Sequence, residues 1–255
     1  MTETAQANRV IDVAILAGTL LIQSGSEIYR VEDTMIRIAR SQGLHHVNVL
    51  AMPAAIFVSI EQTNLSRMKR ILSSSYNIEK VCEVNHISRQ LVAQDISLEE
   101  AYAQLSQLRD KPLPYQPWQT LLAATLAAPF FTVMFGGNLA DMLGSILATF
   151  FGFLAYMTME KTAKIPFIAA FVGSLTFTIL GFLWTKVFPL NTHMEWIMAG
   201  AVMPFVPGIA LTNAIRDLMT NHLNTGMSKL FESLLIIFAL GAGTTFAILL
   251  MNQIF

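Results

Sequence analysis

Asn213, Arg216 and Asp217 stand at i, i+3 and i+4 just after the dipeptide Pro207-Gly208, in a stretch that is otherwise apolar. On a helix that spacing puts all three on one face. Amide and ionic side chains among apolar neighbours at membrane depth face a partner or a cavity. An amide, a guanidinium and a carboxylate on one face can bond a neighbouring helix, hold an anionic solute or carry a proton. Pro204, Pro207 and Gly208 interrupt the apolar run 196–218 near its middle. Proline removes a backbone donor and clashes with the preceding turn, so a helix must kink or break there. The new helix begins after Pro207 and presents its positive end at mid-membrane, which attracts carboxylates. A broken helix followed by a polar stripe is the pattern of a transporter site.

Each candidate has a plainer reading. Arg216 and Asp217 also fit an interfacial charged pair at a helix end, and the break also fits a kink that shapes packing. Asn213 lies deeper and is not explained by an interface. Glu232 falls in the first turn of the last apolar segment, three residues after Lys229. It reads as a cap or a local ion pair, with proton coupling as the sharper alternative. Glu27, Arg30, Glu32 and Asp33 crowd one or two helical turns; a solvated face is the default, with Glu27 and Arg30 as coupling or gating candidates. Asp141 reads as interfacial. His45-His46 is the only histidine pair, and adjacent residues on an extended segment point to opposite sides. There is no metal-ligand spacing, no Gly-rich phosphate loop and no G-x-S-x-G elbow. No metal and no cofactor are expected.

These residues sit in a chain of two contrasting halves. Of its 255 residues 54% are apolar, and the formal net charge is −1. Nothing in that balance suggests a nucleic acid as partner. Residues 1–115 hold 11 of the 16 Lys and Arg and 12 of the 17 Asp and Glu, which leaves 5 and 5 for residues 116–255. So uneven a distribution predicts a water-facing domain, 1–115, followed by a lipid-facing domain, 116–255. In the first, helices are expected at 10–22, from a Ser24/Glu27 capping box to Gly43, at 77–93, and at 98–109 behind a Ser97/Glu100 capping box. Strands are expected at 47–52, 55–60 and 67–73. The fold class is a membrane protein: a small cytoplasmic α+β domain followed by an α-helical bundle of about five transmembrane helices. The spans are expected near 118–135, 139–158, 166–187, 195–218 and 229–251. The run 10–22 is short for a span and contains Asp12. The linker 110–118 carries three prolines, with Tyr115 and Trp118 suited to a membrane interface.

Rows of small residues (Gly144, Ala148, Gly152; Ala169, Gly173) suit close helix packing in lipid, within the chain or against a second copy of it. Loop lysines and arginines predict the orientation. With the first domain in the cytoplasm, Lys161, Lys164, Arg216 and Lys229 lie inside and Lys186 alone outside. The N-terminus is then cytoplasmic and the C-terminus outside. The single Cys82 cannot form an intrachain disulfide, consistent with a reducing compartment.

Two stretches resemble the threonine/serine exporter family: A-G-T-L-L-I-Q-S-G-S-E-I-Y-R-V-E, residues 17–32, and P-G-I-A-L-T-N-A-I-R-D-L, residues 207–218, followed by Gly226 and Glu232. The likeness covers nearly the whole chain. It implies a bacterial inner-membrane exporter that is not an enzyme. It further implies the split form of the family, in which a larger protein with a soluble domain works with a smaller YjjB-like membrane subunit. The cargo implied is a small anionic substrate, a succinate-type dicarboxylate, or else threonine and serine. Pro207, Gly208, Asn213, Arg216 and Asp217 would line or shape the translocation site. The family's acidic residue shortly after the Arg-Asp pair is missing, since Asn221-His222 stands there; His222 is expected to meet solvent. The alternative is a membrane-tethered enzyme or sensor whose site lies in residues 1–115.

Overall fold

The computed structural model describes residues 3–61, 65–72, 75–112, 115–189 and 191–255. The chain is mostly helical, with three strands. It divides into two compact units, Met1–Leu113 with Ala210–Leu230, and Pro114–Ile209 with Phe231–Phe255. Composition separates residues 116–255 from the rest, whereas packing gathers Ala210–Leu230 with the first unit.

In the first unit, α1 (Glu3–Gln23) is longer than the run 10–22 suggests, with Glu3, Arg9 and Asp12 among its residues. Val10, Ile11, Ala14, Ala17 and Leu21 are buried. α2 (Ile28–Ser41) buries Ile28, Val31, Met35 and Ile38 at helical spacing and keeps its charges outside. An antiparallel sheet follows, in the order β1 (Val47–Met52), β2 (Ala55–Ile60), β3 (Leu65–Arg70). Val47 pairs with Ile60 and Met52 with Ala55 across the Pro53-Ala54 turn; Ala55 pairs with Arg70 and Ile60 with Leu65. That register turns Ala51, Ile56, Val58 and Ile60 into the core. β3 ends at Arg70; Ser73, expected in this strand, lies outside the described residues. α3 (Ile78–Val92) and α4 (Leu98–Asp110) complete the core with Val84, Leu91, Ala101 and Leu105. The capping box before α4 is formed: the Glu100 N–H donates to Ser97 Oγ at 3.2 Å and the Ser97 N–H to Glu100 Oε2 at 2.8 Å. These bonds to Ser97 hold the Glu100 carboxyl below its ordinary value.

The second unit contains α5 (Pro117–Met134), α6 (Leu139–Ala163), α7 (Pro166–Val187), α8 (Met194–Val202) with a 3₁₀ turn at Met203–Phe205, and most of α10 (Leu223–Ile254). The Gly144/Ala148/Gly152 row of α6 is buried, and Gly152 lies against Gly173 and Phe177 of α7. Phe205 packs its ring on those of Phe153, Tyr156 and Phe177 at 5.3–5.8 Å between centroids. Leu126, Phe130, Phe151, Phe238 and Leu249 are exposed, an apolar surface too extensive for a water-facing protein.

Among the described residues, four helices are long and apolar enough to cross a membrane: Ala5–Gln23, Leu139–Ala163, Pro166–Val187 and Leu223–Ile254. The broken pair Met194–Phe205 and Gly208–Met219 makes a fifth if it is one span. This differs from the expected set at two places. α5 is not among them, because its first turn, Pro-Trp-Gln-Thr, is polar. α1 is among them, yet its apolar side chains are buried in the core of the first unit.

Candidate functional site

The first unit assembles its polar centre at the N-terminus of α2. The chain leaves α1 through Ser24 and Gly25 and enters α2 at Ile28. Gly25 takes a φ of +81°, in the left-handed region that glycine occupies without the Cβ penalty. Glu27 has the extended backbone of an N-cap, but its side chain does not cap the helix. The Ser24/Glu27 capping box is therefore not formed.

The cap comes from 189 residues away. α9 (Gly208–Met219) carries Asp217, wholly buried, and its Oδ1 accepts the Ile28 N–H at 3.1 Å. Its other oxygen, Oδ2, accepts from Lys229 Nζ at 2.8 Å. A carboxylate at a helix N-terminus answers both the unpaired backbone donors and the positive end of the dipole. One turn earlier on α9, Asn213 donates from Nδ2 to the Gly25 carbonyl at 2.9 Å. Arg216 pairs with Glu27 Oε1, while Arg30 Nε pairs with Glu27 Oε2 at 2.7 Å. The Tyr29 hydroxyl and the Glu27 carboxylate together hold the Arg30 guanidinium above its ordinary value.

A second link lies one turn along α2. Glu32 accepts the Ala51 N–H at 2.8 Å and meets His222 Nε2 at 3.1 Å. The His222 N–H bonds the Asp217 carbonyl at 2.9 Å, which closes the turn after α9. Behind it, α10 approaches α9 at Gly226, where a Cβ would sit 2.7 Å from Leu218 Cγ and 2.9 Å from the Ala214 carbonyl oxygen. The cluster holds three acids (Glu27, Glu32, Asp217), three bases (Arg30, Arg216, Lys229) and one histidine, so its charges compensate. It can clamp α9 to α2, and it can exchange partners with a carboxylate that competes for Arg216, Lys229 or the Ile28 N–H.

The structure thus brings together five residues singled out by sequence: Glu27, Arg30, Asn213, Arg216 and Asp217. Arg216 and Asp217 do not pair with each other; each is committed to a different partner. Pro207 and Gly208 fall at the break between the 3₁₀ turn and α9, where the Gly208 N–H bonds the Val206 carbonyl at 2.8 Å. Glu232 belongs to the second unit and is exposed, and Lys229 donates to Asp217. His222, expected to meet solvent, is mostly buried against Glu32. Asp141, expected at an interface, is wholly buried in the second unit. It accepts the Asn138 N–H at 3.0 Å, the His193 N–H at 2.7 Å and contacts His193 Nδ1 at 3.2 Å. Glu32, His222 and Lys229 read in the sequence as a solvated face, a loop residue and a neighbour of Glu232; their partners here lie 190 residues apart for Glu32 and His222 and 12 apart for Lys229 and Asp217. Among the described residues no three His, Cys, Asp or Glu side chains come together to hold a metal ion.

Repeated helices of membrane-spanning length and an extensive exposed apolar surface define a multi-pass membrane protein. The family model described as "Putative threonine/serine exporter" (ThrE) matches residues 12–251. The chain belongs to this family of membrane transporters. It is similar to the "Probable succinate transporter subunit YjjP" of Escherichia coli K12, 23% identical over 248 residues, 96% of each chain. It is 22% identical over 229 residues to the protein of the same description from Klebsiella aerogenes, covering 89% of this chain and 88% of that one. It is also 22% identical over 251 residues to the "Threonine/serine exporter" of Corynebacterium glutamicum, covering 95% of this chain but 51% of that protein. No solved structure matches.

Proposed function

We propose that this chain is one subunit of a secondary exporter of small carboxylate metabolites, a succinate-type dicarboxylate in the first place, in a bacterial inner membrane. It works with a smaller, YjjB-like membrane subunit. Two observations support the second subunit: similar proteins are described as subunits, and the chain spans about half the length of the Corynebacterium exporter. Residues 1–115 form a cytoplasmic α+β domain, and the C-terminus lies outside; the excess of Lys and Arg in the loops assigned to the inside supports this.

The observation that carries the reading is the convergence of Glu27 and Arg30 with Asn213, Arg216 and Asp217. Glu27 and Arg30 pair with each other, and Arg216, Asp217 and Asn213, all from the helix after the Pro207-Gly208 break, bind Glu27, the Ile28 N–H and the Gly25 carbonyl. An anionic cargo that takes Arg216 or the α2 N-terminus frees Glu27 or Asp217, and so releases α9 from α2. Cargo recognition and movement of the broken helix are then one event. The test is efflux of labelled succinate from preloaded vesicles that contain both subunits, with protein level checked by blot. Asp217→Asn keeps size and hydrogen bonding but removes the charge; it should lower efflux at least about tenfold. Asn213→Ala should lower it less. Unchanged rates in both variants remove the cluster from transport.

A further inference from the structure

A cleft of about 470 Å³ lies between α2 and α3 in the first unit, outside the cluster just described, and Arg30 belongs to both. Arg30, Asp33 and Arg37 of α2 line one wall, and Ser88, Arg89 and Val92 of α3 line the other. Three guanidinium groups against one carboxylate make the cleft cationic. Arg30 and Arg37 are seven residues apart, so their Cα atoms are separated by about 10 Å along the helix axis. Each is held to an acid through Nε: Arg30 to Glu27 at 2.7 Å, and Arg37 to Asp33 at 2.8 Å. Pairing through Nε leaves the paired Nη donors at the planar end of a guanidinium as the group that captures a carboxylate bidentately. Arg89 is exposed and makes no ion pair among the described residues, so its charge is uncompensated. Asp33, between the two arginines of α2, repels a compact anion centred in the cleft but tolerates a ligand charged at its two ends.

We propose that this cleft binds a small dicarboxylate, with one carboxylate toward Arg30, the other toward Arg37, Arg89 closing over the ligand, and Val92 against its methylenes. A lone phosphate reaches one pole only; a monocarboxylate leaves one pole unpaired. Arg30 is shared with Glu27, so a bound dicarboxylate weakens the hold of Glu27 on α2 and reports the cytoplasmic anion to the cluster at Arg216. The binding assignment rests on the cleft itself; only its connection to Arg216 rests on the transport reading.

Isothermal titration of the full chain in nanodiscs, at fixed ionic strength, tests it with succinate, butanoate and inorganic phosphate. Saturable succinate binding is expected, with butanoate and phosphate at least about tenfold weaker. Arg89→Ala should weaken succinate at least about tenfold and leave the melting temperature without ligand unchanged, because Arg89 is exposed and unpaired. Arg89→Lys should fall between the two. Unaltered succinate binding in Arg89→Ala, or equal binding of phosphate or butanoate, overturns the proposal. Binding lost in Asn213→Ala but kept in Arg89→Ala also overturns it and assigns the succinate to the α9 cluster, so the two readings fail separately.

Discussion

Two aspartates, one in each unit, are completely shut off from solvent, and the fold satisfies them in opposite ways. Asp141 is held by its own neighbourhood. Asn138 and Asp141 cap α6 reciprocally, and His193 from the loop before α8 supplies two further contacts. Asp217 is held by a lysine and by the N-terminus of a helix 189 residues earlier. The first arrangement closes a helix end and ties one loop to it. The second makes a joint between α9 and α2 whose parts lie on separate segments and can part without unfolding a helix. A buried carboxylate is therefore not in itself a sign of function.

Substitutions at the two sites should separate these roles. The largest effect is expected from Asp217→Ala, which removes the wholly buried carboxylate that accepts from Lys229 and the Ile28 N–H. Removing one member of a buried ion pair costs about 3–5 kcal/mol. Thermal unfolding of the purified chain should show a loss of that order. Lys229→Ala should lose somewhat less, since the Ile28 N–H still faces the stranded carboxylate. Asp141→Ala comes next, at about 1–3 kcal/mol for buried donors left unpaired, while efflux per folded molecule should stay close to that of the unaltered chain. Equal loss of efflux in Asp141→Ala and Asp217→Ala would erase the distinction.

The smallest effect is expected at a third capping acid, Glu100, which does on the surface what Asp141 does in the interior. Its folded-state pKa is depressed by the Ser97 donors. Its contribution is therefore present above the ordinary carboxylate value of 4.5 and lost as the pH falls below it. Glu100→Gln should lower stability slightly at neutral pH and match the unaltered chain at pH 3, and so flatten the acid side of the stability profile; melting curves between pH 3 and 7 measure this.

The sequence showed what is local. The Ser97/Glu100 box, the apolar stripe of α2 and the strand pair around Pro53 each depend on residues a few positions apart, and the structure has them where expected. Asn138 and Asp141 carried the spacing of a capping box as well, but the polar residue at the start of an apolar run was read as an interface. Ser24 and Glu27 had the spacing without the structure, because Asp217 supplies the acceptor at Ile28 and Glu27 is drawn to Arg30 and Arg216. The stripe Asn213, Arg216, Asp217 was visible as a polar face on a broken helix; what it faces was not. Partners such as Gly25, Glu32 and Lys229 are fixed by the tertiary path of the chain, and no periodicity records that path.

The distance between Ile28 and Asp217 also has a consequence for the order of synthesis. A ribosome adds about 5–20 residues per second, so the cap of α2 is made about 10–40 seconds after the helix it completes. Throughout that interval Glu27 has Arg30 but not Arg216, and the first turn of α2 has no carboxylate beneath it. The first unit therefore cannot finish folding as its own residues emerge. It is completed only after the intervening residues, Pro114–Ile209, are made.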